Sequence, residues 1–284
     1  MSHCSRRSPI VGALVASLLI AVGLLSAGSA QASAVPTLTL TLTSSSITVG
    51  GSTQSGGVNV VTTATGVKEA NILLFLLKPG VSVAELESGL KGGAGKDPNR
   101  TSKYGSVVFD AEVGTGHSSS EAETYLQPGQ YVALVPGHGK GQGPKAHEAF
   151  TVSAAASPVA LPTPQATIRS IEFGFTGPRT LHDGEVVRFE NEGFLIHMDI
   201  AFPAKSQRAA KQIVRGLLSG HEKGLEKLVT GEPFSFAPPL SHEAFMQETI
   251  TAKPGWYVQA CFMETQDGRD HTRLGMERII KIVK

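Results

Sequence analysis

Apolar and polar residues alternate strictly from position 36, where the chain reads TLTLTLT before Ile47 and Val49. That period predicts one half-buried strand over 36–48, ended by Gly50-Gly51. Positions 58–63 (VNVVTT) predict a second strand. Positions 71–77 (NILLFLL) are apolar on both faces and predict a central one, stopped by Pro79-Gly80. The period then changes. In 82–90 (SVAELESGL) Val83, Leu86 and Leu90 fall on one helical face, with Ser82 placed to cap and Glu85 three residues on. A Gly, Lys, Pro and Ser-rich loop is expected over 92–105. A short strand follows over 106–113, then a strand, Pro128-Gly129 turn and strand over 123–135. A glycine-rich tip spans 137–143, and 149–152 closes the unit.

The stretch 154–165 is proline- and alanine-rich and reads as a semi-extended linker. Beyond it Ile168, Ile171 and Phe173 are apolar, and a break is expected at 174–178. A strand over 186–189, a turn at Asn191-Glu192-Gly193 and a strand over 194–202 follow. A helix in two pieces is expected over 206–229, interrupted near 216–224. Positions 233–239 read as loop, 247–262 as a hairpin about Pro254-Gly255, and 279–283 as the closing strand.

The two units echo each other. Pro128-Gly129-Gln130-Tyr131-Val132 matches Pro254-Gly255-Trp256-Tyr257-Val258 at an offset of 126, and Gly66 matches Gly193 at 127. Two offsets in the same order favour a duplicated domain of many short strands.

The N-terminus has the marks of an export signal: Arg6 and Arg7, an apolar run over 11–25, then small residues with cleavage sites readable at Ala32 or Ala34. Its loss takes two arginines and no acids from a chain of 25 basic and 24 acidic side chains. The mature protein is then near neutral with its charges mixed. No nucleic-acid partner is expected, and no membrane span after cleavage. The expected place is secreted or extracytoplasmic, in periplasm or cell envelope. Cys4 leaves with the signal, so Cys261 is alone. A single thiol in an exported protein suggests metal binding, pairing between chains, or an inert buried side chain.

Cys261, His271 and Met276 lie within one short C-terminal segment, and His197 lies on an earlier strand behind Asn191 and Gly193. Thiolate, imidazole and thioether are the donor types of a copper electron-transfer site. The order Asn, Gly, His, then Pro-Gly-x-Tyr-x-x-x-Cys, then His-x-x-x-Gly-Met resembles the cupredoxin (blue copper) family over roughly residues 167–283. The resemblance implies an all-β fold: two tandem cupredoxin-like Greek-key β-sandwiches, each with a helical insertion. The expected division is a signal peptide at 1–34, a domain lacking metal ligands at 35–153, the linker at 154–165, and a domain with a copper site at 166–284. It also implies one copper ion held by His197, Cys261, His271 and Met276, and a redox partner protein.

Two features depart from the family pattern. Nine residues, FMETQDGRD, separate Cys261 from His271, as in the stretched type-1 loop of copper nitrite reductases. Gln259 shares a strand face with Cys261, where a polar group needs a partner. The first unit carries Ala70, Val135 and Ala146 where the second has His197, Cys261 and Met276, so no metal is expected there. A metal-free secreted or cell-surface binding or scaffold module is the alternative function. His-x-His pairs for a trinuclear copper centre are absent and no nucleophile elbow is present, so no residue set supports an enzyme. Asn99-Arg100-Thr101 matches a glycosylation acceptor pattern.

Overall fold

The computed structural model describes residues 34–91, 98–114, 118–136 and 145–284. The expected export segment, part of the loop over 92–105 and the glycine-rich tip at 137–143 lie outside these.

The first half runs β1 (Thr37–Leu42), β2 (Ile47–Gly51), β3 (Gly56–Ala64), β4 (Glu69–Leu77), α1 (Val83–Lys91), β5 (Gly105–Gly114), β6 (Ser119–Leu126), β7 (Gly129–Val135) and β8 (Ala146–Val152). The expected single strand over 36–48 is two. Thr43 Oγ1 accepts from the Ser46 N–H at 3.1 Å, a local bond that turns the chain between them. Leu38, Leu40 and Leu42 still all face inward. The α1 start is a capping box: the Ser82 N–H donates to Glu85 Oε2 at 2.8 Å, and the Glu85 N–H to Ser82 Oγ at 3.3 Å.

The second half runs β9 (Ala166–Ile171), β10 (Gly174–Thr176), β11 (Thr180–His182), β12 (Val186–Asn191), β13 (His197–Ala204), α2 (Gln207–Ser219), β14 (Phe234–Leu240), β15 (Phe245–Thr249), β16 (Gly255–Ala260) and β17 (Glu277–Val283). Three of these strands depart from expectation. β10 stands where the sequence predicts a break, β11 is short, and β14 carries Pro238 and Pro239. Prolines donate no ladder bond, and β14 tolerates them because it is an edge strand, paired only with β13.

The expected hairpins at Pro128-Gly129 and Pro254-Gly255 are not hairpins. β6 and β15 lie in one sheet, and β7 and β16 in two others, so each Pro-Gly corner carries the chain from one layer to the next. Both corners are tied alike. Tyr131 donates its hydroxyl to the Gln127 carbonyl at 3.1 Å, and Tyr257 to that of Lys253 at 2.8 Å.

The strand orders of the halves correspond. One sheet runs β10-β9-β12-β15-β6-β3-β1-β2, so β15-β12-β9-β10 mirrors β6-β3-β1-β2. The halves join where Glu123 of β6 pairs Gln247 of β15. The covering sheets run β5-β4-β7-β8 and β14-β13-β16-β17-β11. Between the layers lies one continuous apolar core, from Leu38, Val58, Ile72 and Phe109 through Ile168, Phe189, Phe236 and Ile280. The helices cover the outer faces. Leu86 of α1 packs on Leu77, Val132 and Leu134, and Ile213 and Leu217 of α2 pack in the cluster with Ala204, Val258 and Ala260. Burying such a side chain contributes about 1.5–3 kcal/mol. Ser206 and Gly220 cap α2, the glycine with φ 69. Among the described residues no helix is long and apolar enough to cross a membrane.

Candidate metal centre

His197 opens β13, and the chain ahead of it is held from several sides. Asn191, only 2 % exposed, donates its side-chain amide to the carbonyls of Leu195 and Leu240, both at 2.8 Å, and accepts from the Gly193 N–H at 2.9 Å. Glu172 Oε1 accepts from the backbone N–H groups of Phe194 and Leu195. Asn99, from the first half, accepts from the Ile196 N–H at 2.6 Å. The glycosylation pattern at Asn99 therefore falls on a side chain engaged beside the site, with its Nδ2 atom buried. Gly193 is needed for closeness: a Cβ there would stand 2.7 Å from His197 Nε2 and 2.8 Å from Glu172 Oε1.

Cys261 follows β16 directly. Its N–H donates to the Met276 carbonyl at 3.1 Å, and its sulfur accepts from the Met198 N–H at 3.4 Å. The nine residues to His271 form a pinched excursion. Glu264 bridges Asp270, the Thr265 N–H donates to the Arg269 carbonyl at 2.9 Å, and the His271 N–H reaches the Met263 carbonyl at 2.8 Å. The extra length is looped out, so His271 returns beside Cys261. One 3-10 turn, His271–Leu274, then ends at Gly275 with φ 99, and the Met276 N–H donates to the His271 carbonyl at 3.0 Å. Met276 is thereby tied through its backbone to both Cys261 and His271.

His197, Cys261, His271 and Met276 are all buried, at 1 %, 0 %, 0 % and 0 % exposure. His197 Nδ1 lies 3.1 Å from His271 Nδ1. Cys261 Sγ is 3.4 Å from His271 Nδ1 and 3.8 Å from His197 Nδ1. A point equidistant from three atoms so separated lies about 2.0 Å from each, close to the bond length of a first-row metal to imidazole. Among the described residues these three form the group of His, Cys and carboxylate side chains able to share an ion. Burial pushes the Cys261 thiol up to about 12, against the Met198 and Met263 N–H groups that favour the thiolate. Burial holds His197 down to about 3 and His271 down to about 4, so both imidazoles are neutral, the form that ligates. The Nδ1 edges face the shared point, and both Nε2 atoms are buried without hydrogen-bond partners. The donor set fits a metal.

Gln259 finds its partners in a buried ladder. It donates to Asp199 Oδ2 at 2.9 Å and accepts from Arg278 Nε at 2.6 Å, while the Arg278 guanidinium also reaches the carbonyls of Phe175, Gly177 and Pro178. Burial pushes the Asp199 carboxyl up to about 8, opposed by Arg278. Sequence reasoning misses Asn191 as an anchor, and with it Glu172, Phe173, Asn99, Asp199 and Arg278. The alternation His197, Asp199 on one strand and Gln259, Cys261 on another is the available signal for the ladder.

No family model matches the chain and no curated protein matches it. Among solved structures, a reduced auracyanin from the photosynthetic bacterium Roseiflexus castenholzii is similar at 17 % identity over 42 % of this chain and 95 % of that one, TM-score 0.26. Auracyanin A, a "blue" copper protein from Chloroflexus aurantiacus, is similar at 18 % identity over 41 % and 96 %, TM-score 0.26. A copper-containing nitrite reductase from Thermus scotoductus SA-01 is similar at 13 % identity over 87 % of this chain and 68 % of that one, TM-score 0.25. Likenesses at these scores carry no ligand or activity over to this chain. Over the described residues the chain is all-β with two covering α-helices, and its C-terminal half gathers a buried His2Cys donor set fit for one metal ion.

Proposed function

We propose that this is an exported protein of two duplicated, cupredoxin-like sandwiches whose C-terminal half holds one copper ion for electron transfer or copper handling. The observation that carries the reading is the buried triangle of His197 Nδ1, His271 Nδ1 and Cys261 Sγ around one point. His197 and His271 would hold the ion through their imidazoles, Cys261 through its thiolate and Met276 through its thioether. A copper ion bound there would supply one-electron chemistry between its two oxidation states. The chain's part is rigidity. Strands β13 and β16 fix two of the donors, and the 3-10 turn after the excursion fixes the third. The Met198 N–H on the sulfur favours the thiolate. The partner is a redox protein met outside the cytoplasm. The duplication is supported by the matching strand orders and the paired tyrosine bonds. The first half keeps the frame with Ala70, Val135 and Ala146 at the donor positions and binds no metal.

One equivalent of Cu(II) added to the purified protein is expected to give an intense visible absorption, abolished by Cys261→Ser. A folded protein that gives no such band refutes the reading and leaves a metal-free binding module.

A further inference from the structure

Outside the donors themselves, the two-residue connection Glu172-Phe173 between β9 and β10 touches both histidine-bearing segments. Phe173 has φ 56, a left-handed conformation that side chains other than glycine and asparagine seldom adopt. The chain holds it there although Gly174 follows. In that pose the Phe173 ring stands edge-on to the His271 ring, centroids 5.3 Å apart and planes at 80°. His271 is wholly shielded, and its Nε2 edge has no hydrogen-bond partner. The neighbouring Glu172 anchors the tip from the other side by accepting from the Phe194 and Leu195 N–H groups ahead of His197. The strained conformation, the ring contact and the carboxylate anchor thus converge on one end of the site.

We propose that the Glu172-Phe173 tip is a lid, with Phe173 a positioning residue that seals His271 from water and from small anions and so decides what can enter the metal's surroundings. Glu172 latches the lid to the chain entering β13. Removal of the ring opens a path to His271 without touching a donor. Phe194 lies nearby, is 81 % exposed, and its ring leans on His242, centroids 5.0 Å apart, rather than on His271. It therefore serves as a control aromatic with no sealing role.

The lid itself does not require copper, and only the second arm of the test rests on the copper reading above. In the first arm, metal-free protein is treated with diethylpyrocarbonate and each histidine is followed by mass spectrometry. The exposed His147, His182 and His221 serve as internal rate standards. His271 is expected to be protected in the wild type, to react at least ten-fold faster in Phe173→Gly, and to stay protected in Phe173→Tyr and Phe194→Gly. Glycine suits φ 56, so the variant relaxes the backbone. Should its melting curve show loss of the fold, Phe173→Asn, which also tolerates that conformation, takes its place. Equal His271 reactivity in wild type and the lid variant overturns the proposal. In the second arm, azide is titrated into Cu(II)-loaded protein. The wild-type spectrum is expected to stay unchanged and that of the glycine variant to shift; azide entering the wild type equally overturns the lid. Absence of a copper band in the wild type refutes the copper reading instead, and the first arm still decides the lid.

Discussion

Gly193→Ala adds one methyl group against His197 without altering any donor. Its Cβ would stand 2.7 Å from His197 Nε2 and 2.8 Å from Glu172 Oε1, where carbon–heteroatom contacts need about 3.4 Å. Both side chains must therefore give way, the imidazole by about 0.7 Å and the carboxylate by about 0.6 Å. Glu172 is tied to two backbone N–H groups, so much of the movement falls on the imidazole. Metal sites tolerate ligand displacements of about 0.2 Å, and built sites lose function beyond roughly 0.5 Å. Overpacking of this kind costs about 1–3 kcal/mol. A mid-range loss of about 2 kcal/mol at the donor triangle weakens Cu(II) binding roughly 30-fold. The assay is competition for Cu(II) against a chelator of known affinity, with urea unfolding of the metal-free protein alongside. Gly66→Ala, at the matching place in the first half, meets nothing within 4 Å but has φ 69. It is expected to lower stability by about 1 kcal/mol and leave copper affinity unchanged. Wild-type affinity in Gly193→Ala refutes the placement of His197 in the site.

Asp110 is buried on β5, its carboxyl pushed up to about 7 chiefly by desolvation, with the Asn71 amide donating to it at 3.1 Å. The folded state keeps a proton that the unfolded state releases above about pH 4, so stability falls as pH rises from about 4 to 7. Asp110→Asn is expected to remove its own share of that slope, leaving the share of the similarly raised Asp199, Glu248 and Glu277, and to gain about 2–4 kcal/mol at pH 8, read from urea midpoints across pH. Arg278→Met strips Gln259 and three carbonyls of their donor and is expected to cost about 2–4 kcal/mol in the same assay. Tyr131→Phe and Tyr257→Phe remove equivalent hydroxyl bonds and should each cost about 1 kcal/mol; a large inequality would speak against equivalent corners.

Much of the β-structure is written in alternation. Leu38, Leu40 and Leu42 face the core as their period demands, and β4 is central as its double-faced apolar run implies. The capping of α1 is legible because a capping box is local. β14 is not, because Pro238 and Pro239 speak against a strand until its edge position is known. The Pro-Gly corners look like hairpins because a turn signal does not say whether the next strand pairs or changes sheet. At the site, the three residues that converge, His197, Cys261 and His271, are visible by type and order. The looped-out excursion that brings His271 back to Cys261 rests on backbone bonds between residues whose side chains give no such sign. The Asp199–Gln259–Arg278 ladder depends on registers across three strands, Ala201 opposite Gln259 and Gln259 opposite Arg278. Phe173 reads in sequence as one more apolar residue, since a left-handed backbone in a non-glycine residue leaves no mark there.

Copper-edge X-ray absorption of the protein loaded with one equivalent of copper interrogates the donor triangle most directly. Two nitrogen scatterers at about 2.0 Å and one short sulfur in the same shell are expected, with the sulfur lost in Cys261→Ser. A shell of nitrogen and oxygen alone, unchanged by that substitution, would contradict a copper centre built on His197, His271 and Cys261.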